Sequence, residues 1–522
     1  MAISGIEKNI GALLEKAARR YGDNQALHFD HENSGFSFNE LNARVNQYAN
    51  ALQAEGIKKG DHVAVMLPNC PEFPLTWLAL AKLGAVMIPL NNRYQAVDLE
   101  YVLNDSDAIA LVIDTQFVPT FQEARPKAPA IKTVYRVGSG QEELGSLLSN
   151  LVDAAAGEFT APDITLDDLV NIQYTSGTTG FPKGCLLTHE YWLTLGMTAS
   201  DNLVQGDVFL VVTPFYYMDP QWELIMCLAA GATMVLTRKY SASNYMKLIN
   251  QYKVTAAWAT MATWTLKQPE SPDDKNHHLK FVLVGGFPPH LHKKFEKRFN
   301  VRAREAYGMT EIGTGMLVAL EDDHMTGSGS VGKPPDYRST KIVDHDGNPV
   351  EPSEIGELLI KGPGIFKGYY NKPEETARAF EVDWFRTGDL FRQDKDGYFY
   401  IVGRIKDMIR RTGDNISASE VEHVLTSHPK ILSAAVVPVP DESRGEEVKA
   451  YIAPAQGETP ASIPPEEIIS FCLDRIAEFK IPRYIEYVDE FQRTGSGKIQ
   501  KHVLIDAKDD LTADCYDRMA EK

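Results

Sequence analysis

The chain has 522 residues, 43% of them hydrophobic and 24% charged, with a formal net charge of −18. That length exceeds a single hydrophobic core and implies one large soluble domain, with internal subdomains, plus a smaller one. The acidic balance, with no long basic block to offset it, excludes nucleic acid as the main partner.

Residues 3–27, ISGIEKNIGALLEKAARRYGDNQAL, have the apolar spacing of a helix but carry charges throughout, so they are not read as a signal peptide. From 37 to 114 strands and helices alternate: HVAVMLP (62–68) is a buried strand, FPLTWLALAKLGA (73–85) an apolar helix ended by glycine, and VMIPLN the next strand. A strand, DDLVNIQ (167–173), then runs into YTSGTTGFPKG (174–184). The rhythm recurs in VFLVVTP (208–214), a helix over 223–230, TMVLT, VTAAWAT (254–260) and KFVLVGG (280–286). Short continuous apolar strands between amphipathic helices predict largely parallel sheets covered on both faces. GSGSVG (327–332) matches the dinucleotide fingerprint by letter, but the KPPD that follows cannot open the required helix, and it is read as a turn. From about 339 the pattern becomes short strands and turns (DHDGN, DKDG), antiparallel and barrel-like, and a charged segment, RIKDMIRRTGDN (404–415), leads into a compact α+β region. The predicted boundary, near Lys406, divides a large domain, 1–405, from a small one, 406–522. No segment approaches the ~20 apolar residues of a membrane helix. Five scattered cysteines without CxxC, and no retrieval or peroxisomal address at Glu521–Lys522, fit a reducing cytoplasm.

The glycine-rich loop carries the chemistry. Thr175, Ser176, Thr178 and Thr179 stand among Gly177, Gly180 and Gly184, and Lys183 lies near the exit. Glycines admit a polyanion to the backbone, hydroxyl and N–H groups donate to phosphate oxygens, and the lysine adds countercharge. Lys183 precedes a glycine rather than following one, so this is not the common GxxxxGK[ST] nucleotide loop. Together with REAYGMTEIG (304–313), GELLIKGPGIFKGYY (356–370), WFRTGDL (384–390), GRIKDMIRRTGDNIS (403–417) and TGSGKIQK (494–501), it resembles the adenylate-forming superfamily of acyl-CoA synthetases, adenylation domains and firefly-type luciferases. The motifs occur in the expected order across nearly the whole chain.

The resemblance implies an α/β fold: a large N-terminal domain with two mostly parallel sheets and a barrel-like subdomain, and a small mobile α+β C-terminal domain. It implies an ATP-dependent acid–CoA ligase, most like acyl-CoA ligases, using Mg²⁺ and coenzyme A; the alternative is a stand-alone adenylation enzyme that loads a carrier protein. By the same resemblance, residues 175–183 hold the β- and γ-phosphates, Thr310 donates to the α-phosphate and Glu311 holds Mg²⁺. Tyr307 and Gly308 receive adenine, Asp389 and Arg404 the ribose, and Lys498 bridges the acid carboxylate and the α-phosphate. Lys406 matches the hinge about which the small domain turns, and Gly413 leaves room for the pantetheine arm, although Thr412 stands where many CoA ligases have glycine. Tyr216, Tyr217 and Trp258, with Gly285, Gly286 and Gly313, border the acyl pocket, and Trp222 is a further aromatic candidate. Tyr217 replaces a histidine that many relatives carry. His189 is read as a structural hydrogen-bonding residue. The segment RKYSASNYMKLINQYKVT (238–255) is weakly similar to carnitine/crotonobetaine–CoA ligases. Several aromatics converging on the pocket would suit an aromatic acid by stacking or a quaternary ammonium acid by cation–π attraction. A short- or medium-chain acid and a homodimer are equally allowed.

Overall fold

A computed structural model describes residues 5–175, 182–411, 414–493 and 499–520, with backbone alone at 406, 414 and 415. The chain divides into two compact units: residues 1–328, 332–339 and 360–384, and residues 329–331, 340–359 and 385–522.

The first unit holds two sheets. One runs, in spatial order, Ser146–Leu147, Thr133–Val137, Ala110–Asp114, His62–Met66, Val86–Pro89, Leu169–Thr175 and Lys183–Thr188, parallel except for the last pair. The other runs Gly313–Leu317, Arg302–Met309, Phe281–Val284, Ala256–Trp258, Val208–Val211, Thr233–Leu236, Gln25–Phe29 and Ser34–Ser37, parallel inside and antiparallel at both ends. Val63, Ala64, Val65, Ile88, Phe209, Leu210 and Ala257 are fully buried, the mark of strands covered on both faces. The helices Glu72–Leu83, His189–Ala199 and Met218–Ala230 are buried almost all round, so they are core rather than surface elements. Gly196 lets two of them touch: a Cβ there would lie 2.4 Å from Ile225 Cγ2.

Three local expectations need adjustment. The N-terminal helix stops at Tyr21, because Gly22 adopts φ +54°, and Gln25–Phe29 becomes a strand between Thr233–Leu236 and the edge strand Ser34–Ser37. The helix expected from 223 begins at Met218, since Pro220 sits in its first turn, where no N–H donor is required. The strand expected over 254–260 is confined to Ala256–Trp258. Residues 327–332 are a turn, with no strand leading in and no helix leading out.

In the second unit the antiparallel pair Trp384–Gln393 and Phe399–Arg404 follows the DHDGN turn, where the Asp344 carboxylate accepts from the N–H groups of Asp346 and Asn348. A further sheet is ordered Asp414–Ser417, Met408–Arg411, Gly445–Pro454, Tyr484–Tyr487 and Tyr516–Asp517, with Ile431–Asp441 also paired to Gly445–Pro454. The helices Ala418–Thr426 and Pro465–Leu473 close its core through Val421, Leu425, Ile468 and Cys472.

Candidate active site

The glycine-rich loop is clamped at its base. Leu169–Thr175 and Lys183–Thr188 pair antiparallel, with Thr175 opposite Lys183 and Tyr174 opposite Gly184, so one hairpin fixes both ends of the loop. The Tyr174 hydroxyl donates to Asp105 Oδ2 at 2.7 Å, and the Tyr101 hydroxyl to the Pro182 carbonyl at 3.1 Å. Ser176, Gly177, Thr178 and Thr179 lie outside the described residues. Lys183 forms an ion pair with Glu375, and its Nζ stands 5.1 Å from the centroid of the Tyr369 ring.

Tyr369 also serves a second motif. Its hydroxyl donates to Glu311 Oε1 at 2.9 Å, while the Phe366 N–H donates to the Glu311 carbonyl at 2.9 Å. Glu311 and Thr310 form the tip between Arg302–Met309 and Gly313–Leu317, where Gly308 pairs with Thr314 and Met309 with Gly313. A Cβ on Gly308 would fall 2.4 Å from the Gly313 carbonyl oxygen, so the tight hairpin demands glycine. Arg338 braces this tip, donating to the carbonyls of Ile312 at 2.5 Å and Thr314 at 3.3 Å, and to those of Pro363 and Gly364. Lys183, Tyr369 and Glu311, drawn from three sequence motifs, therefore meet at one point. Glu311 is only 8% exposed, and the Tyr369 phenol is pushed up by burial and by the neighbouring Glu311 carboxylate.

Tyr307 is buried and Gly308 exposed on the same hairpin. Across the sheet, Gly285 and Gly286 are exposed, and Glu305 holds their turn by accepting from the N–H groups of Gly286 and Phe287. Burial pushes the Glu305 carboxyl up to about 8, against those two hydrogen bonds.

The aromatic candidates fall into two pairs. Tyr216 and Tyr217 have ring centroids 4.6 Å apart, and Trp222 meets Trp258 edge-on at 5.9 Å. A Cβ on Gly285 would lie 3.5 Å from Trp258 Cζ2, and one on Gly313 would lie 3.3 Å from Leu195. The turn that carries the two tyrosines is pinned by buried amides. Asn69 donates to the Thr213 carbonyl at 2.9 Å and accepts from the Phe215 N–H at 2.7 Å; Gln173 donates to the Tyr216 carbonyl at 2.8 Å. Gln221 donates to the carbonyls of Phe215 and Tyr217, and it accepts from Asn171, which in turn accepts from the Trp77 indole. His189 is fully buried and accepts from the Ile10 N–H, and burial pulls its imidazole down to about 4, as a structural residue requires.

In the second unit Asp389 and Arg404 lie opposite each other in register, and Arg404 Nε stands 2.9 Å from Asp389 Oδ1. Glu357 pairs with Arg386 and accepts from the Gly388 N–H, fixing the turn before Asp389. Lys406 lies in the short 3-10 turn Ile405–Asp407. In the neighbouring charged segment Arg411 pairs with Glu447 at 2.8 Å. Lys498 and Gly413 lie outside the described residues.

Asn69, Gln173, Gln221, Glu305, Arg338 and Tyr369 were not anticipated as site residues. Tyr369 belongs to a quoted motif, and Asn171 and Gln173 interrupt an otherwise apolar strand, a detectable signal. Arg338 and Asn69 gave none.

A hairpin that joins the two ends of the glycine-rich segment thus stands beside a Thr-Glu tip, with one ring shared by lysine and carboxylate. The model of the AMP-binding enzyme matches residues 14–370, and that of the AMP-binding enzyme C-terminal domain residues 420–498. The crotonobetaine/carnitine–CoA ligase of Salmonella paratyphi A is 36% identical over 514 residues, covering 95% of this chain and 99% of its own. Among solved structures, the anthranilate CoA ligase AuaEII in complex with anthranoyl-AMP superposes with a TM-score of 0.88 at 26% identity, covering 96% of this chain and 97% of its own. ATP-bound MatB from Rhodopseudomonas palustris superposes with a TM-score of 0.86 at 28% identity, covering 96% and 99%. The chain belongs to the AMP-binding enzyme family. It is an AMP-forming acid–CoA ligase.

Proposed function

We propose that the residues above divide two half-reactions between them. In the first, an oxygen of a small carboxylic acid attacks the α-phosphate of ATP, and pyrophosphate leaves. Charge builds on phosphate oxygens without a covalent enzyme step, so the protein acts by positioning and by offsetting charge. Lys183 and the hydroxyls of Thr175, Ser176, Thr178 and Thr179 take the β- and γ-phosphates, with Gly177 giving close approach. Thr310 donates to the α-phosphate. Tyr307 and Gly308 receive adenine, Asp389 and Arg404 the ribose, and Lys498 bridges carboxylate and phosphate. Glu311, a shielded oxygen donor beside that loop, fits Mg²⁺, which takes one or two carboxylates with substrate phosphates and, when bound, offsets their charge.

In the second half-reaction the coenzyme A thiol attacks the acyl carbonyl and AMP leaves. We assign this to the 404–415 segment after domain 406–522 turns about Lys406 relative to domain 1–405, with Gly413 admitting the pantetheine arm. Tyr216, Tyr217, Trp258, Gly285, Gly286 and Gly313 bound the acid. The names of the curated relatives favour a betaine-type acid over an aromatic or a short- or medium-chain one. We place the enzyme in the cytoplasm, where ATP and coenzyme A are held, and a homodimer is open to light scattering.

The observation that carries this reading is the meeting of Lys183, Tyr369 and Glu311. It is tested by pyrophosphate release across aromatic, short-chain, medium-chain and betaine-type acids, with coenzyme A or a carrier protein as acceptor. ATP-dependent acyl-CoA with release of AMP is the expected outcome. Turnover only with a carrier would mean the stand-alone adenylation alternative, and no acid-dependent pyrophosphate release would refute both.

A further inference from the structure

The helix Met218–Ala230 carries two carboxylates that the mechanism does not use. Asp219 and Glu223 are four residues apart, hence on one face, with Trp222 beside them. Glu223 is 1% exposed, and both its carboxylate oxygens are buried without a hydrogen-bond partner. The nearby Tyr245 hydroxyl is also buried and also without a partner, so it does not supply one. Asp219 lies deep in the protein yet keeps part of its surface open, as a group lining a recess does; its partner is the Trp222 side chain.

No lysine, arginine or histidine among the described residues contributes to the electrostatics of either group. Glu223 feels only its burial and the charge of Asp219. Burial raises both carboxyls, Asp219 to about 6 and Glu223 well above its ordinary value. Both carboxyls are held up by burial in a low-dielectric interior, and no cation there balances the charge they would carry on ionisation. A buried carboxyl without a partner is costly, and a well-packed apolar side chain would serve the fold better.

The contacts lead from this pair toward the acid site. Asp219 is bonded to Trp222, Trp222 meets Trp258 edge-on at 5.9 Å, and Trp258 lies against Gly285, which is exposed. Indole rings attract cations through their faces, most strongly where water is excluded.

We propose that Asp219 and Glu223 are specificity-determining residues of the acid pocket, forming with Trp222 and Trp258 the recess that takes the positively charged, ammonium-type end of the substrate acid. This rests on the ligase reading above and names the groups that would choose its substrate. A fixed cation would supply the missing countercharge and the aromatic contact together.

The test compares two acids of one shape, 4-(trimethylammonio)butyrate and its neutral carbon isostere 5,5-dimethylhexanoate, by pyrophosphate release. The wild-type enzyme should favour the cationic acid in kcat/KM by roughly 30-fold or more, the range expected when a buried charge loses its partner. Asp219→Asn and Glu223→Gln keep side-chain shape and should each cut that preference at least tenfold, mainly by slowing the cationic acid, while KM for ATP holds. If one variant fails to fold, the other decides the matter, because each removes the charge of one of the two carboxylates. Preference for the neutral isostere, or a ratio that neither variant moves, overturns the inference and leaves the ligase reading standing. Absence of acid-dependent pyrophosphate release with any acid overturns the ligase reading and this inference with it.

Discussion

Tyr369→Phe isolates the hydroxyl that ties the ring beside Lys183 to the Glu311 tip. The substitution keeps the ring, so the Lys183 Nζ contact at 5.1 Å and the edge contact with Phe366 at 4.9 Å are retained. What goes is a 2.9 Å hydrogen bond to a carboxylate that is 8% exposed. Hydrogen bonds to charged groups contribute about 1.5–3 kcal/mol, and a group this enclosed regains little of that from water. In a unit of this size that lowers Tm by roughly 2–4 °C. If Glu311 holds Mg²⁺, Tyr369 is the group that aims it, and such supporting contacts are worth about 10–100-fold in metal affinity. Initial rates of pyrophosphate release titrated against Mg²⁺ at saturating ATP should therefore shift to higher metal by at least tenfold, with Glu311→Gln shifting further. A lower Tm with an unmoved Mg²⁺ curve would make Tyr369 a structural brace only, and it would remove the geometric support for Glu311 as the metal carboxylate.

Lys498→Ala should abolish adenylation yet spare thioester formation from supplied acyl-adenylate; an equal fall in both single-turnover rates would refute its assignment to one step. Lys406→Pro, which fixes φ near about −65° at the 3-10 turn, should give the opposite asymmetry, with acyl-AMP accumulating while coenzyme A-dependent turnover collapses. Trp258→Ala should change the ranking of acids by roughly 1–3 kcal/mol and leave KM for ATP nearly fixed; unchanged ratios across the acid panel would assign it to the core. For Glu305 the folded carboxyl titrates near 8 against an ordinary 4.5, so the native state binds the extra proton and stability falls as pH rises through that window, by a few kcal/mol at most. The urea midpoint should fall further between pH 5 and pH 8 in the wild type than in Glu305→Gln, the raised carboxyls of Asp219 and Glu223 being common to both, whereas an equal fall in the two proteins would show that the proton is not held.

The parallel sheets were legible because a strand buried on both faces must be apolar throughout, as at 62–68, 208–214 and 280–286. The family was legible because its glycine-rich segment keeps small residues and a lysine close together in sequence, as at 174–184. What escaped was whatever depends on distant partners. Arg338 is one arginine among many until the fold brings it to carbonyls 24 to 26 residues away. Asn69 gives no sign in the sequence and Gln173 looks like an interruption of an apolar run, and only their bonds to residues 213–216 reveal that they hold the turn carrying Tyr216 and Tyr217. Helix ends failed for local reasons: Gly22 stopped one early, and Pro220 disguised the start of another. Asp219 and Glu223 passed as ordinary helix carboxylates because burial cannot be read from charge.

The central claim is that the acid's own oxygen joins the α-phosphate. An acid carrying ¹⁸O in both carboxylate positions, turned over with ATP and coenzyme A, settles it by mass spectrometry of the products. The account predicts one ¹⁸O in AMP, none in pyrophosphate, and one retained in the acyl-CoA carbonyl. Label in inorganic phosphate with ADP as co-product, or AMP without label, would contradict it.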